Sequence, residues 1–131
     1  MIPEDLKYTH DHEWVKIEKD VAIIGITDYA QSELGDIIFI EFPSVGDKVL
    51  QSDISGTIEA VKTVADIFSP LSGEVVEVNC ELEDNPEYVN SDPYGKGWLI
   101  KIKIDKMTVY NTVIYCTQAL CTVQYYTICV D

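Results

Sequence analysis

The segment Trp98-Leu-Ile-Lys-Ile-Lys-Ile104 constrains this chain more than any other. Apolar residues at 98, 100, 102 and 104 alternate with Lys101 and Lys103, a period of two that only a strand with one dry and one wet face satisfies. Other runs of strand formers repeat along the chain, each closed by a turn signal. Trp14-Val-Lys-Ile and Val21-Ala-Ile-Ile-Gly-Ile are joined by Glu-Lys-Asp. Ile37-Ile-Phe-Ile-Glu-Phe ends at Pro43 and a turn, Val45-Gly-Asp-Lys. Gly56 to Val61, Val64 to Phe68 and Gly73-Glu-Val-Val-Glu-Val follow. Helix is expected only at Thr27 to Gly35, with a capping residue, Gln31 three after Asp28 and a glycine stop, and as a short turn within Glu81 to Asn90. Many short strands with regular turns predict a mainly β fold, a small sandwich or barrel.

At 131 residues the chain reads as one domain, large enough for a core without disulfides or metals. Its net charge of −14, with no arginine, argues against a phosphate-binding surface and so against nucleic acid. The same charge suits steering toward basic patches on larger proteins, or simply keeps the chain soluble. The opening Met-Ile-Pro-Glu-Asp is acidic and has no apolar core, so neither a signal nor a transit peptide is expected. A bacterial cytoplasm fits, as does a mitochondrial matrix for a processed organellar form. Cys80, Cys116, Cys121 and Cys129 have no CxxC spacing, which argues against zinc and thioredoxin chemistry.

Within this acidic chain Lys62 stands apart. It is the only basic residue between Lys48 and Lys96, a stretch with ten Asp or Glu. Two strand-forming runs meet at it in Gly56-Thr-Ile-Glu-Ala-Val-Lys62-Thr-Val-Ala-Asp66, which places a lone amine at a hairpin tip. Such an amine is well placed for a modifying enzyme; the plain alternative is a solvated surface lysine.

Here the sequence resembles the H protein of the glycine cleavage system, in which this lysine carries lipoic acid. The resembling motifs are His12-Glu13-Trp14-Val15, Gly25-Ile-Thr-Asp28-Tyr-Ala-Gln31, Leu34-Gly-Asp, Glu59-Ala-Val-Lys62, Ala65-Asp66, Ser69-Pro-Leu-Ser-Gly-Glu-Val75 and Val89-Asn-Ser-Asp-Pro-Tyr-Gly-Lys-Gly-Trp98-Leu-Ile-Lys. They run in order over residues 7 to 104, so the resemblance implies a carrier domain at 1–104 with the fold of lipoyl and biotinyl carriers, a barrel-sandwich hybrid. Biotin carriers have Met on both sides of the lysine, and acyltransferase lipoyl domains have Asp directly before it. Here Val61 and Thr63 flank the lysine and the acid lies three before it, at Glu59, the H-protein spacing and the expected recognition point for lipoylation.

The resemblance implies a non-catalytic, monomeric carrier. A lipoate ligase or a lipoyl or octanoyl transferase attaches the arm, whose roughly 14 Å reach follows from about ten bonds. A pyridoxal phosphate-dependent glycine decarboxylase loads it with an aminomethyl group. A tetrahydrofolate-dependent aminomethyltransferase unloads it, and FAD-dependent dihydrolipoyl dehydrogenase reoxidises the dithiol. It also implies a cleft in which Asp11, Glu13 and Asp66 hold the cationic amine of the loaded arm; the alternative for Asp11 and Glu13 is the wet face of a strand. A lipoyl relay that passes the cofactor to other enzymes, and an unmodified copy that only binds partners, are the other functional readings. His10 and His12, at i and i+2, could share a metal, but no third or fourth ligand has matching spacing, so no metal is expected and His12 is assigned to packing beside Trp14.

The C-terminus departs from the family. H proteins continue with a charged helix, whereas residues 108–130 contain no charge in 23 residues and are rich in Thr, Tyr, Val and Cys. Eight Thr, Gln and Asn make a membrane span a poor reading. Residues 105–131 are set apart as an atypical tail: divergent and strand-like, an anchor, or sequence foreign to the gene.

Overall fold

The computed structural model describes residues 6–9 and 11–104, and the backbone of 110–115 and 124–129. Among these, strands dominate. They are β1 Lys7–Tyr8, β2 Glu13–Glu18, β3 Val21–Ile26, β4 Ile37–Glu41, β5 Lys48–Val49, β6 Ile54–Ala60, β7 Val64–Phe68, β8 Gly73–Val78, β9 Ile100–Ile104, β10 Tyr110–Tyr115 and β11 Gln124–Cys129. Three short helices join them: α1 Asp28–Leu34, α2 Glu81–Asp84 and α3 Tyr88–Ser91. The chain is mainly β, as its alternation predicts.

β1-β2-β3-β9-β8-β5 form one sheet and β4-β6-β7 a second, every pairing antiparallel. The alternating strand β9 lies inside the larger sheet, with Ile100, Ile102 and Ile104 buried between Lys101 and Lys103. Trp98, expected in this strand, lies before it. Leu99 and Ile100 are both buried, so the alternation begins only once the chain has entered the core. β1 and β5 are too short to show any period and were not expected.

The inner faces of both sheets supply one core. Val15, Ile24, Val75 and Ile102 come from the larger sheet, Ile40, Ile58 and Ile67 from the smaller. Leu82 and Val89, on the two short helices, close one end of it. Close approach of β8 to β9 is possible only because residue 73 is glycine: a Cβ there would fall on the backbone carbonyl oxygen of Lys103. A second cluster, Leu6, Tyr8 and Trp14, is covered by Tyr94 and Trp98. Within it the Trp14 indole donates to the Pro93 carbonyl oxygen at 2.9 Å, tying β2 to the loop before β9.

Helix α1 carries the chain from the larger sheet to the smaller. Its cap is Thr27, whose hydroxyl accepts from the Ala30 N–H, while Asp28 sits in the first turn and receives the Gln31 amide. The Asp28 N–H donates to the Tyr94 hydroxyl oxygen at 2.9 Å. Gly35 ends the helix at φ +81, a conformation glycine adopts without a Cβ clash.

Of the tail, 110–115 and 124–129 form an antiparallel hairpin, in keeping with their β-propensity. The rest of 105–131, and His10, lie outside the described residues. No helix among the described residues is long and apolar enough to cross a membrane.

Candidate functional site: the Lys62 hairpin and an acid-lined cleft

Strands β6 and β7 pair with Thr57 opposite Asp66, Ile58 opposite Ala65 and Glu59 opposite Val64. The Ala60 N–H donates to the Thr63 carbonyl at 2.8 Å, so Val61 and Lys62 alone make the turn. Neither has positive φ, unlike the primed turns usual in two-residue hairpins. Residues 61–64 are exposed, so burial does not fix the tip. Its anchor outside the hairpin is the Val61 N–H, which donates to the Asp36 carbonyl at 3.0 Å. The stem of Lys62 lies over Gly35, where a Cβ would come 3.3 Å from the Lys62 Cε. Lys62 thus stands at a hairpin tip, as its flanks predict.

Glu59 is exposed on the outer face of the small sheet, in register with Phe39 on one side and Val64 on the other. Phe39 and Val64 are themselves more than half exposed, at 53% and 59%. The acid before the lysine therefore sits in an apolar row at the surface.

The three remaining predicted residues are brought together. Asp11, Glu13 and Asp66 line one cleft of about 320 Å³ between the start of β2, the edge of β7 and one side of α1. Ile26, Ala30, Leu34, Ile58 and Ala65 supply apolar wall. Three residues without a predicted role in the cleft also line it: His12, Tyr29 and Glu33. His12, assigned from the sequence to packing beside Trp14, has its ring 4.6 Å from that of Tyr29, and its φ of 62 lies outside the strand region. The i, i+4 spacing of Tyr29 and Glu33 on α1 was the available signal for those two.

Glu13 is not on a wet strand face. It is 3% exposed. Its Oε2 accepts from the Phe68 N–H at 2.7 Å and its Oε1 from the Thr9 hydroxyl at 3.1 Å. Burial pushes this carboxyl up to about 8 from an ordinary 4.5. The Phe68 N–H and the Thr9 hydroxyl lower it and the charge of Asp11 raises it, but desolvation dominates. Asp11 and Asp66 are exposed. No group of His, Cys, Asp and Glu among the described residues could hold a metal ion.

A protein-family profile described as Glycine cleavage H-protein matches residues 6–124. The chain is also 57% identical over 101 residues to the glycine cleavage system H protein of Bacteroides thetaiotaomicron, covering 77% of this chain and 80% of that one. This chain belongs to the glycine cleavage H-protein family. The profile continues past Ile104, where the individually recognisable motifs end. A crystal structure of the H protein from Mycobacterium marinum superposes with a TM-score of 0.76 at 40% identity, covering 79% of this chain and 86% of that one. The two facing sheets are therefore the barrel-sandwich hybrid of lipoyl carriers, and the chain is a carrier component of the glycine cleavage system.

Proposed function

We propose that this chain carries lipoic acid in amide linkage on Lys62 and serves glycine cleavage as its mobile carrier, catalysing no step itself. The observation that carries the reading is the position of Lys62, exposed on a tethered two-residue turn with its stem over Gly35. Gly35 ends the helix whose side walls the acid-lined cleft. Glu59, on the surface beside Phe39 and Val64, is the acid read by a lipoate ligase or a lipoyl or octanoyl transferase. When bound, the lipoyl group supplies a cyclic disulfide that accepts an aminomethyl group.

The chain's own part is to hold and shield. Ile26, Leu34, Ile58 and Ala65 suit the hydrocarbon of an arm folded into the cleft. Asp11 and Asp66 offer carboxylates to a cationic amine. Glu13 acts differently. Its Oε2 accepts from the Phe68 N–H and its Oε1 pairs with the Thr9 hydroxyl, to which it donates when protonated, and burial favours that protonated form. A cation entering beside it favours the ionised form, so the charge-assisted contact forms only with cargo present. A lipoyl relay would have no amine to hold, and the acid lining therefore favours glycine cleavage.

The partners that follow are a pyridoxal phosphate decarboxylase, a tetrahydrofolate-dependent aminomethyltransferase and a flavin dihydrolipoyl dehydrogenase. The setting is a bacterial cytoplasm, with the protein as a monomer and residues 1–104 as the carrier unit. Intact mass after expression with a lipoate ligase and lipoate tests the assignment. Wild type gains one lipoyl group and Lys62→Ala gains none; a gain in both, or in neither, overturns it. The cleft is tested by loading the arm. If Glu13→Gln with Asp66→Asn leaves the loaded form as long-lived as wild type, these residues do not protect it.

A further inference from the structure

Asn90, on α3, makes three hydrogen bonds that converge on the turn between α1 and β4. Its Nδ2 donates to the Gly35 carbonyl at 2.8 Å and to the Gln31 Oε1 at 2.9 Å. Its Oδ1 accepts from the Ile37 N–H at 3.0 Å. The partners fix the orientation of the amide, because a backbone carbonyl takes only the NH2 and a backbone N–H only the oxygen. Gly35 and Ile37 flank Asp36, whose carbonyl receives the Val61 N–H, and Gly35 is the surface under the Lys62 stem. The neighbouring Val89 is fully buried, so α3 itself is fixed to the core.

We propose that Asn90 is a positioning residue for Lys62: by clamping the α1–β4 turn, it sets the pose in which a lipoate-attaching enzyme meets the amine. The proposal rests on the reading of Lys62 as acceptor. An exposed two-residue turn without a primed conformation has little to fix it from within. The enzyme closes on one amine, and a base that wanders by about an ångström costs rate well before it costs folding. Asn90 is itself only half-buried, so its loss leaves no cavity in the core.

The test uses the full chain as wild type, Asn90→Ala and Asn90→Asp, held well below their melting temperatures. Asp keeps the shape and the acceptor for Ile37 but turns a carboxylate oxygen on the Gly35 carbonyl; it serves alone if the alanine variant does not fold. Two quantities are read: kcat/KM for lipoylation by a lipoate ligase, and amide hydrogen exchange at Val61 compared with Val15 and Ile24. The expected result is a fall in kcat/KM of about tenfold or more. Exchange at Val61 accelerates, while Val15 and Ile24 keep their protection. Wild-type kcat/KM in a folded variant overturns the proposal, as does a loss that tracks general loss of protection at Val15 and Ile24. Should wild type itself take up no lipoyl group, the acceptor reading fails, and the exchange at Val61 still decides whether Asn90 holds the tip.

Discussion

Replacing Glu13 by glutamine should make this protein progressively more stable than wild type as pH rises. In the fold the Glu13 carboxyl is raised from 4.5 to about 8. Between those values the unfolded chain has released the proton and the folded chain keeps it. The unfolded state binds fewer protons, so the stability that Glu13 contributes is full below about pH 4.5 and is lost as pH rises toward 8. At about 1.4 kcal/mol per pH unit, the loss between pH 5 and pH 8 is on the order of 4 kcal/mol. Glutamine keeps the shape, presents Oε1 to the Phe68 N–H and its NH2 to the Thr9 hydroxyl oxygen, and does not titrate. Melting temperatures of the two proteins should nearly coincide at pH 5 and separate by roughly 10 °C by pH 8, with glutamine higher. The general pH response of an acidic chain is common to both and cancels in the difference. Parallel curves from pH 5 to 9, or a gap that closes as pH rises, would show that Glu13 is already ionised in the folded protein.

Gly73→Ala drives a methyl group into the Lys103 carbonyl and forces β8 from β9, so urea unfolding should show a loss of about 2–3 kcal/mol. Trp14→Phe strands the buried Pro93 carbonyl and should cost about 1–3 kcal/mol in the same assay. Gly35→Ala strains a φ of +81 and crowds the Lys62 stem; it should lose about 1 kcal/mol of stability yet slow lipoylation disproportionately, measured as kcat/KM.

The main strands and the Lys62 hairpin were legible because alternation and turn residues are local signals. Helix α1 was legible for the same reason, with Thr27 as its cap. Strands β1 and β5 span two residues each, too few for a period. Trp98 was drawn into β9 by alternation, although the chain there is still entering the core. At the cleft, motif resemblance named Asp11, Glu13 and Asp66, which line one hollow, but gave no sign of their unlike environments. Whether a carboxyl next to Trp14 is wet or dry depends on β7 closing over it from far along the chain. Asn90 lies within a resembling motif, but its role was not legible for the same reason: its partners, Gln31, Gly35 and Ile37, become adjacent only when α3 packs beside α1.

The bond from the Phe68 N–H to Glu13 has a consequence for life in a crowded cell. β7 is an edge of the small sheet, and an edge strand offers its free backbone groups to any extended chain that drifts past. With a buried side chain occupying one of those donors, and the start of β2 lying alongside, a foreign strand finds that rung already taken. A buried carboxyl at that edge thereby leaves one donor fewer on which a foreign strand could template.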